Sequence, residues 1–307
     1  MLLSPYPTIG ERIRVTLLWL WGALVIAFLM VPILIPVPLS FNSGAFFVFP
    51  LEGLSTRWYE VVLGTDRWQT AIGNSLIIAF GTTALATALG TLTAIALSSD
   101  RFPARRIIMP LVISPLIVPV VITAVGSYLF YARVGLASTY LGIILAHTAL
   151  ASPFVVVTVG ASLTGFDRNL MRAASIAGAK PVVAFYRVML PLILPGVLSG
   201  AAFAFVTSFD EVVVAQFLAS ANQRTMPLEM FIGLRERLSP AITAAATLMM
   251  LLSIILLVVA NLLARRGAKK AKPAREISIY VRVTGFEMGS AKHGVDGIAI
   301  NDSRVRP

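Results

Sequence analysis

No cysteine occurs in the 307 residues, so the chain holds no disulfide framework, no thiol nucleophile and no thiolate metal site. Histidine is almost as scarce, with only His147 and His293. There is no His-Glu-x-x-His, which removes the helical zinc-hydrolase pattern, and no Gly-Lys dipeptide, which removes a phosphate-binding P-loop. Charge is also thin. Charged residues make up 13% of the chain and hydrophobic ones 57%, too apolar for a soluble domain and enough for several spans of about 20 residues. The 25 basic residues outnumber the 14 acidic ones, a net charge of +11 that would suggest nucleic acid in a soluble protein. Here the bases gather at the ends of apolar runs, where topology and anionic lipid account for them and no nucleic-acid partner is called for.

What is present is a series of long uncharged runs, which predicts an all-α, polytopic membrane protein with six transmembrane helices. The expected divisions are a cytoplasmic N-terminus over 1–14, a six-span domain over 15–264 and a basic, disordered cytoplasmic tail over 265–307. The spans are placed at about 15–39, 71–97, 107–131, 139–161, 190–218 and 241–264. Span one follows Arg12 and Arg14 and is longer than the apolar core of a signal peptide, with no small-residue cleavage site close behind, so it reads as a retained helix. Residues 41–69 read as an external loop rich in turn residues, with Trp58 and Tyr59 as aromatic anchors. In span two Ala86, Gly90 and Ala94 recur every four residues, which narrows one face for close packing inside the bundle. Pro110, Pro115 and Pro119 interrupt span three, so a bent helix lining the interior is expected. Between spans five and six, Arg235, Glu236 and Arg237 suggest a short surface helix, and Ile277 to Val283 alternates well enough for a stray strand. Six spans put both termini on one side. The segments on that side carry fifteen bases and the opposite loops six, a bias that makes it the cytoplasm.

Between spans four and five the run Leu163 to Gly196 is broken by Asp167, Arg168, Arg172, Lys180 and Arg187 and must leave the bilayer. Arg172, Ala173, Ala174 and the residues to Ala177 suit a short helix whose small side chains admit another protein's surface. Gly178 suits the left-handed turn that ends it, and Pro181 the first turn of a second helix. Ala173, Ala174, Gly178, Val188, Leu190 and Pro191 stand at the spacing Glu-Ala-Ala, three residues, Gly, nine residues, Ile-x-Leu-Pro, which resembles the cytoplasmic loop of ATP-binding-cassette importer permeases. Arg172 stands where that pattern has Glu and reverses its charge, and Val188 stands where it has Ile. The resemblance implies a helical coupling loop over about 163–190, built from Arg172, Ala173, Ala174, Gly178, Leu190 and Pro191, that fits a groove on an ATPase subunit.

The run Ser208 to Val214, followed by Arg224-Thr225-Met226-Pro227-Leu228 and Leu238-Ser239-Pro240, is similar to the spermidine/putrescine permeases of that class. The residues from Phe41 to Gln69 resemble their first external loop. The resemblance covers most of Leu17 to Arg266 and not the tail. It implies a bacterial inner membrane location and a non-catalytic subunit that moves solute by alternating access. The implied partners are two ATPase subunits, a second related permease and an external substrate-binding protein. ATP and Mg belong to the ATPase, and this chain binds no cofactor.

From the residues themselves, Asp210 and Glu211 are the ionisable pair in an apolar stretch. Such groups are costly there and mark a pathway, although about 27 Å of helix from Leu192 puts Asp210 near a surface, where a solvated helix end is the competing reading. Phe209 beside it could offer a cation–π face to an ammonium group, so Phe209, Asp210 and Glu211 are the candidate pathway residues. His147 reads as a structural polar contact, with a gating contact as the alternative. A serine protease built on Gly160-Ala161-Ser162 and His147 fails, because fifteen residues on one helix separate them by about 22 Å. The rivals are another solute within the class, such as an amino-acid-like amine, ferric ion or an anion, or an ion-driven secondary transporter, whose paired inverted repeats are not visible here.

Overall fold

The computed structural model describes residues 8–46, 50–99, 102–236 and 238–271, and among them every regular element is helical. The expected strand over 277–283 lies outside the described residues. Helix α1, Ile9–Leu34, opens on a capping box in which the Thr8 hydroxyl accepts from Glu11 N–H and the Glu11 carboxylate from Thr8 N–H. None of its residues is buried. Pro36 restarts the chain as the single turn α2, Pro36–Leu39.

The segment expected to be a plain external loop contains a helix, α3 (Arg57–Gly64), and joins α4, Asp66–Ser98, at Thr65. The reason is apolar area. Trp58 and Trp68 are buried, at 8% and 9% exposure, rather than anchored at an interface, and Trp58 Nε1 donates to Asn42 O at 2.8 Å, closing the loop on itself. Span three is more than bent. Helix α5, Arg105–Ile113, passes through a 3-10 turn at Ser114–Leu116 to α6, Val120–Val134, and the two segments meet at 103°. Pro115 and Pro119 each remove an N–H in the short stretch where the ladder would continue, so it stops. Nor does this segment line the interior of the chain: α5 buries nothing and α6 only Ala124, while Ile107, Leu111, Ile122 and Phe130 are exposed.

Helix α7, Tyr140–Thr164, starts at Thr139, whose hydroxyl accepts from Gly142 N–H at 3.0 Å. The polar elbow follows as α8, Asn169–Ile176, and α9, Pro181–Ala184. Helix α9 does not end before span five. A π turn at Phe185–Met189 carries it into α10, Leu190–Phe209, so one apolar rod runs from Pro181 to Phe209. Pro191 explains the π turn, because its ring would press on the carbonyl of Arg187 in a regular α ladder and a widened turn relieves that contact. Span five stops at Phe209 rather than near 218. The chain breaks at Asp210–Val212 and resumes as α11, Val213–Leu218. The surface helix expected near Arg235 is longer, α12 (Met226–Glu236), and its first turn is buried. Helix α13, Ala241–Ala271, runs seven residues into the segment expected to be a disordered tail.

Among the described residues five helices are long and apolar enough to cross a membrane, and the bent α5–α6 pair makes a sixth if it counts as one span. The centre of the chain is α4, α7 and α10. A Cβ on Gly90 would sit 2.7 Å from Val155 Cβ, and one on Gly200 would sit 2.6 Å from Thr158 Oγ1, so α7 is in near-backbone contact on both sides. Helix α13 closes the bundle against α10 and α3 through Trp58, Val62, Phe205, Phe209, Ala244 and Ala245.

Candidate functional site

Two regions at opposite ends of α7 and α10 carry the polar side chains that composition singled out. At one end is the elbow. Gly178 adopts φ +80°, the left-handed conformation that a Cβ resists, and its N–H donates to Ser175 O at 3.0 Å. The turn sits in open space within this chain, with nothing within 4 Å of a Cβ built there. Arg172 and Ala173 are exposed, and the Arg172 guanidinium reaches Asn169 Oδ1 at 3.5 Å, the edge of hydrogen-bonding distance. Ile176, Val182, Val183 and Tyr186 are exposed as well, at 88%, 66%, 40% and 61%. That is an apolar face on a charged loop. Ala174 and Leu190 are half-buried and Pro191 is exposed where the rod begins.

At the other end lies the break between α10 and α11. Phe209 is 2% exposed and stacks on Phe205, with centroids 5.3 Å apart and planes at 23°. Its ring is therefore packing material, and it offers no open face to an ammonium group in this conformation. Asp210 is the C-cap of α10 and is exposed. Glu211 turns inward: Oε1 accepts from Val213 and Val214 N–H at 2.9 Å, and Oε2 accepts from Val214 and Ala215 N–H at 2.9 and 3.2 Å. The solvated-end reading thus fits Asp210 and fails for Glu211, whose side chain is 8% exposed. Both residues lie past the end of the span. Although the residue as a whole is exposed, partial burial of its carboxyl and then the neighbouring Glu211 charge raise the Asp210 pKa. In Glu211 burial acts in the same direction but is outweighed by the hydrogen bond and charge of His147 and by the backbone N–H donors, so its pKa is lowered.

His147, on α7, is fully buried and touches both sides of the break. Its Nδ1 is 2.8 Å from Ser208 Oγ and its Nε2 is 3.4 Å from Glu211 Oε2. Serine, histidine and carboxylate are the components of a hydrolase triad, but Ser208 is 4% exposed and His147 0%, and an α7–α10 packing contact is what they form. Sequence reasoning had the histidine and the carboxylate without seeing that they meet, since 64 positions separate them.

A second carboxylate went unnoticed. Glu229, in the buried first turn of α12, is 1% exposed and pairs with Arg67 of α4 and, at 3.7 Å, with Arg224. Beside it Asn74 Nδ2 donates to Asn222 O and Arg224 O at 2.9 and 3.0 Å, while its Oδ1 accepts from Tyr140 OH at 2.6 Å. Ser75 Oγ accepts from Met226 N–H at 2.8 Å. Span two thus grips the loop before α12 through polar groups. The sequence signal for it was Asn74, a polar amide in an uncharged, mostly apolar run, because an amide in an apolar helix must find partners. A cavity of about 410 Å³ adjoins this grip, lined by Asp66, Arg67, Asn222, Arg224, Glu229 and Glu236 among others.

The chain is a multi-span helical bundle with a charged helix–turn–helix elbow between two of its spans. The chain belongs to the family described as the binding-protein-dependent transport system inner membrane component, which matches residues 86–270. It is 34% identical to the spermidine/putrescine transport system permease protein PotC of Haemophilus influenzae over 242 residues, covering 79% of this chain and 94% of the relative. It is 35% identical to the putrescine transport system permease protein PotI of Escherichia coli strain K12 over 228 residues, 72% and 81% of the two chains. The molybdenum transport system permease protein ModB of Mycobacterium bovis matches at 32% over 212 residues, 62% of this chain and 80% of the relative. Among solved structures, a bacterial ABC transporter involved in the import of the acidic polysaccharide alginate shares the fold, with TM-score 0.64 at 16% identity over 86% of this chain and 99% of that one. The chain is therefore a membrane-embedded, non-catalytic permease subunit of an ATP-binding-cassette importer, and ATP hydrolysis belongs to a partner ATPase.

Proposed function

We infer that this subunit carries a small, hydrophilic cation of the polyamine class, such as spermidine or putrescine, inward by alternating access. The carrying observation is similarity over more than two thirds of the chain to permeases named for those solutes, and the exposed Asp210 at the break is a carboxylate suited to an ammonium group. The chain works with a second related permease, two ATPase subunits and an external substrate-binding protein. ATP and Mg sit on the ATPase, and this chain needs no cofactor of its own. The elbow faces the cytoplasm, as do both termini, in a bacterial inner membrane; the basic residues concentrated on that side support this orientation. Residues 163–190 form the coupling loop, with Arg172, Ala173, Ala174, Gly178, Leu190 and Pro191 at or beside the ATPase contact. Helix α8 and the apolar residues around it supply a face of the right kind, and closure of the ATPases would move the rod that begins at Pro181.

The test is uptake of labelled putrescine and spermidine in a strain whose only polyamine importer contains this subunit. Asp210→Asn removes one charge-assisted contact, so uptake at saturating solute should fall about tenfold while the complex still assembles. The molybdenum permease among the relatives supports a second reading, a different solute handled by the same machinery. Accumulation of molybdenum with no polyamine uptake would select it.

A further inference from the structure

The geometry points to His147 as the residue that positions Asp210: one buried imidazole on α7 holds the residues on both sides of it and so fixes where the carboxylate stands. This rests on the reading of Asp210 as a solute contact. Asp210 is the last residue tied to α10, its N–H donating to Val206 O at 3.0 Å, and the chain beyond it is irregular until α11 begins three positions later. Its neighbours are held. Ser208, in the last turn of α10, meets His147 Nδ1 at 2.8 Å, and Glu211, the first residue after Asp210, meets Nε2 at 3.4 Å. The two nitrogens of a single rigid ring thus fix Ser208 and Glu211 relative to each other across the break.

Nδ1 and the Ser208 hydroxyl share a hydrogen bond at 2.8 Å, and Nε2 faces the Glu211 carboxylate at 3.4 Å as an electrostatic contact. Glu211 has its remaining capacity committed to the Val213, Val214 and Ala215 N–H groups, which ties the start of α11 to the same point. The far end of α11 is secured separately, by Ser138 N–H donating to Leu218 O at 3.0 Å. Loss of the imidazole therefore leaves α11 docked and frees the break alone. Helix α7 is a suitable base for such a clamp, since Val155 and Thr158 meet α4 and α10 at the glycine contacts and leave it no slack.

A positioning role and a merely structural one separate in a double-mutant cycle. The assay is the maximal rate of labelled putrescine uptake per inserted complex, in proteoliposomes containing the complete importer with its binding protein. His147→Leu should lower that rate about tenfold, the effect of misplacing one charged contact. Combined with Asp210→Asn it should be no worse than Asp210→Asn alone, because a clamp has nothing left to position. His147→Gln, whose amide atoms both lie at the ε position, can keep the contact that Nε2 makes with Glu211 but not the one that Nδ1 makes with Ser208, so it should restore part of the rate. Effects of His147→Leu and Asp210→Asn that multiply would overturn the inference. Should Asp210→Asn alone transport at the parental rate, the solute-contact reading falls and the inference falls with it. If His147→Leu does not insert, Ser208→Ala enters the same cycle, with a smaller loss that should again vanish beside Asp210→Asn.

Discussion

At the scale of single residues, adjacent side chains in this chain do different work because the backbone turns between them. Asp210 and Glu211 stood out in the sequence as a pair, and both were legible as unusual from their apolar surroundings. What each does was not legible, because the partner of Glu211 is on another span and its backbone donors exist only once α10 has broken. Gly178 was readable in full, since its left-handed turn is a local property of the chain. Gly178→Val should cost about 1–3 kcal/mol of local backbone strain while leaving the protein inserted. If the loop meets the ATPase, uptake should fall by tenfold or more; parental uptake by that variant argues against this contact. Gly178→Asn tolerates the conformation and isolates the contact from the strain. Arg172→Glu, which restores the charge found in the related loops, should be tolerated if the side chain packs through its stem. Glu229 behaves differently from either. Glu229→Gln leaves Arg67 and Arg224, which are 51% and 40% exposed and can turn to water, so the loss should be about 1–2 kcal/mol. Replacing both arginines by Ala strands a buried carboxylate and should lower the detergent melting temperature by more. The reverse order would mean that Arg67 and Arg224 do not hold the Glu229 side chain in place.

At the scale of elements, charge-free runs located α4 and α7 to within five residues at each end, and the bounds failed where a helix breaks or changes type, as at the end of α10. A π turn leaves no mark in hydrophobic periodicity. Only the geometry of the Pro191 ring against the preceding carbonyls shows why α9 and α10 form one rod. The small-residue repeat of α4 was a reliable signal because close approach has few other uses in a membrane helix. Gly90→Val would drive a side chain into Val155 and should cost about 1–3 kcal/mol, read as a lower melting temperature in detergent with the same helix content. Gly126, on the uncovered α6 with nothing within 4 Å of a Cβ, is the control: Gly126→Ala should leave that temperature unchanged or raise it slightly.

For the whole molecule, charge-free run lengths indicated six spans, against five single helices and a bent α5–α6 pair among the described residues; the arrangement was not legible, because apolar residues lie on most sides of each span and the pattern cannot say which face meets protein. The absence of cysteine makes the topology directly measurable. Single cysteines at Ser175 and Ser55 should react with a membrane-impermeant maleimide from opposite sides, Ser175 from the cytoplasm; labelling of both from one side would remove the six-span arrangement. Helix α1 has the most to say at this scale. It buries nothing against the rest of the chain, yet it is capped and continuous from Ile9 to Leu34. Its entry into the bilayer is thus governed by its own hydropathy and by the charges of Glu11, Arg12 and Arg14, without help from tertiary contacts. Such a segment can be oriented in the lipid before the spans that follow it are made, because its orientation needs no finished fold to dock against.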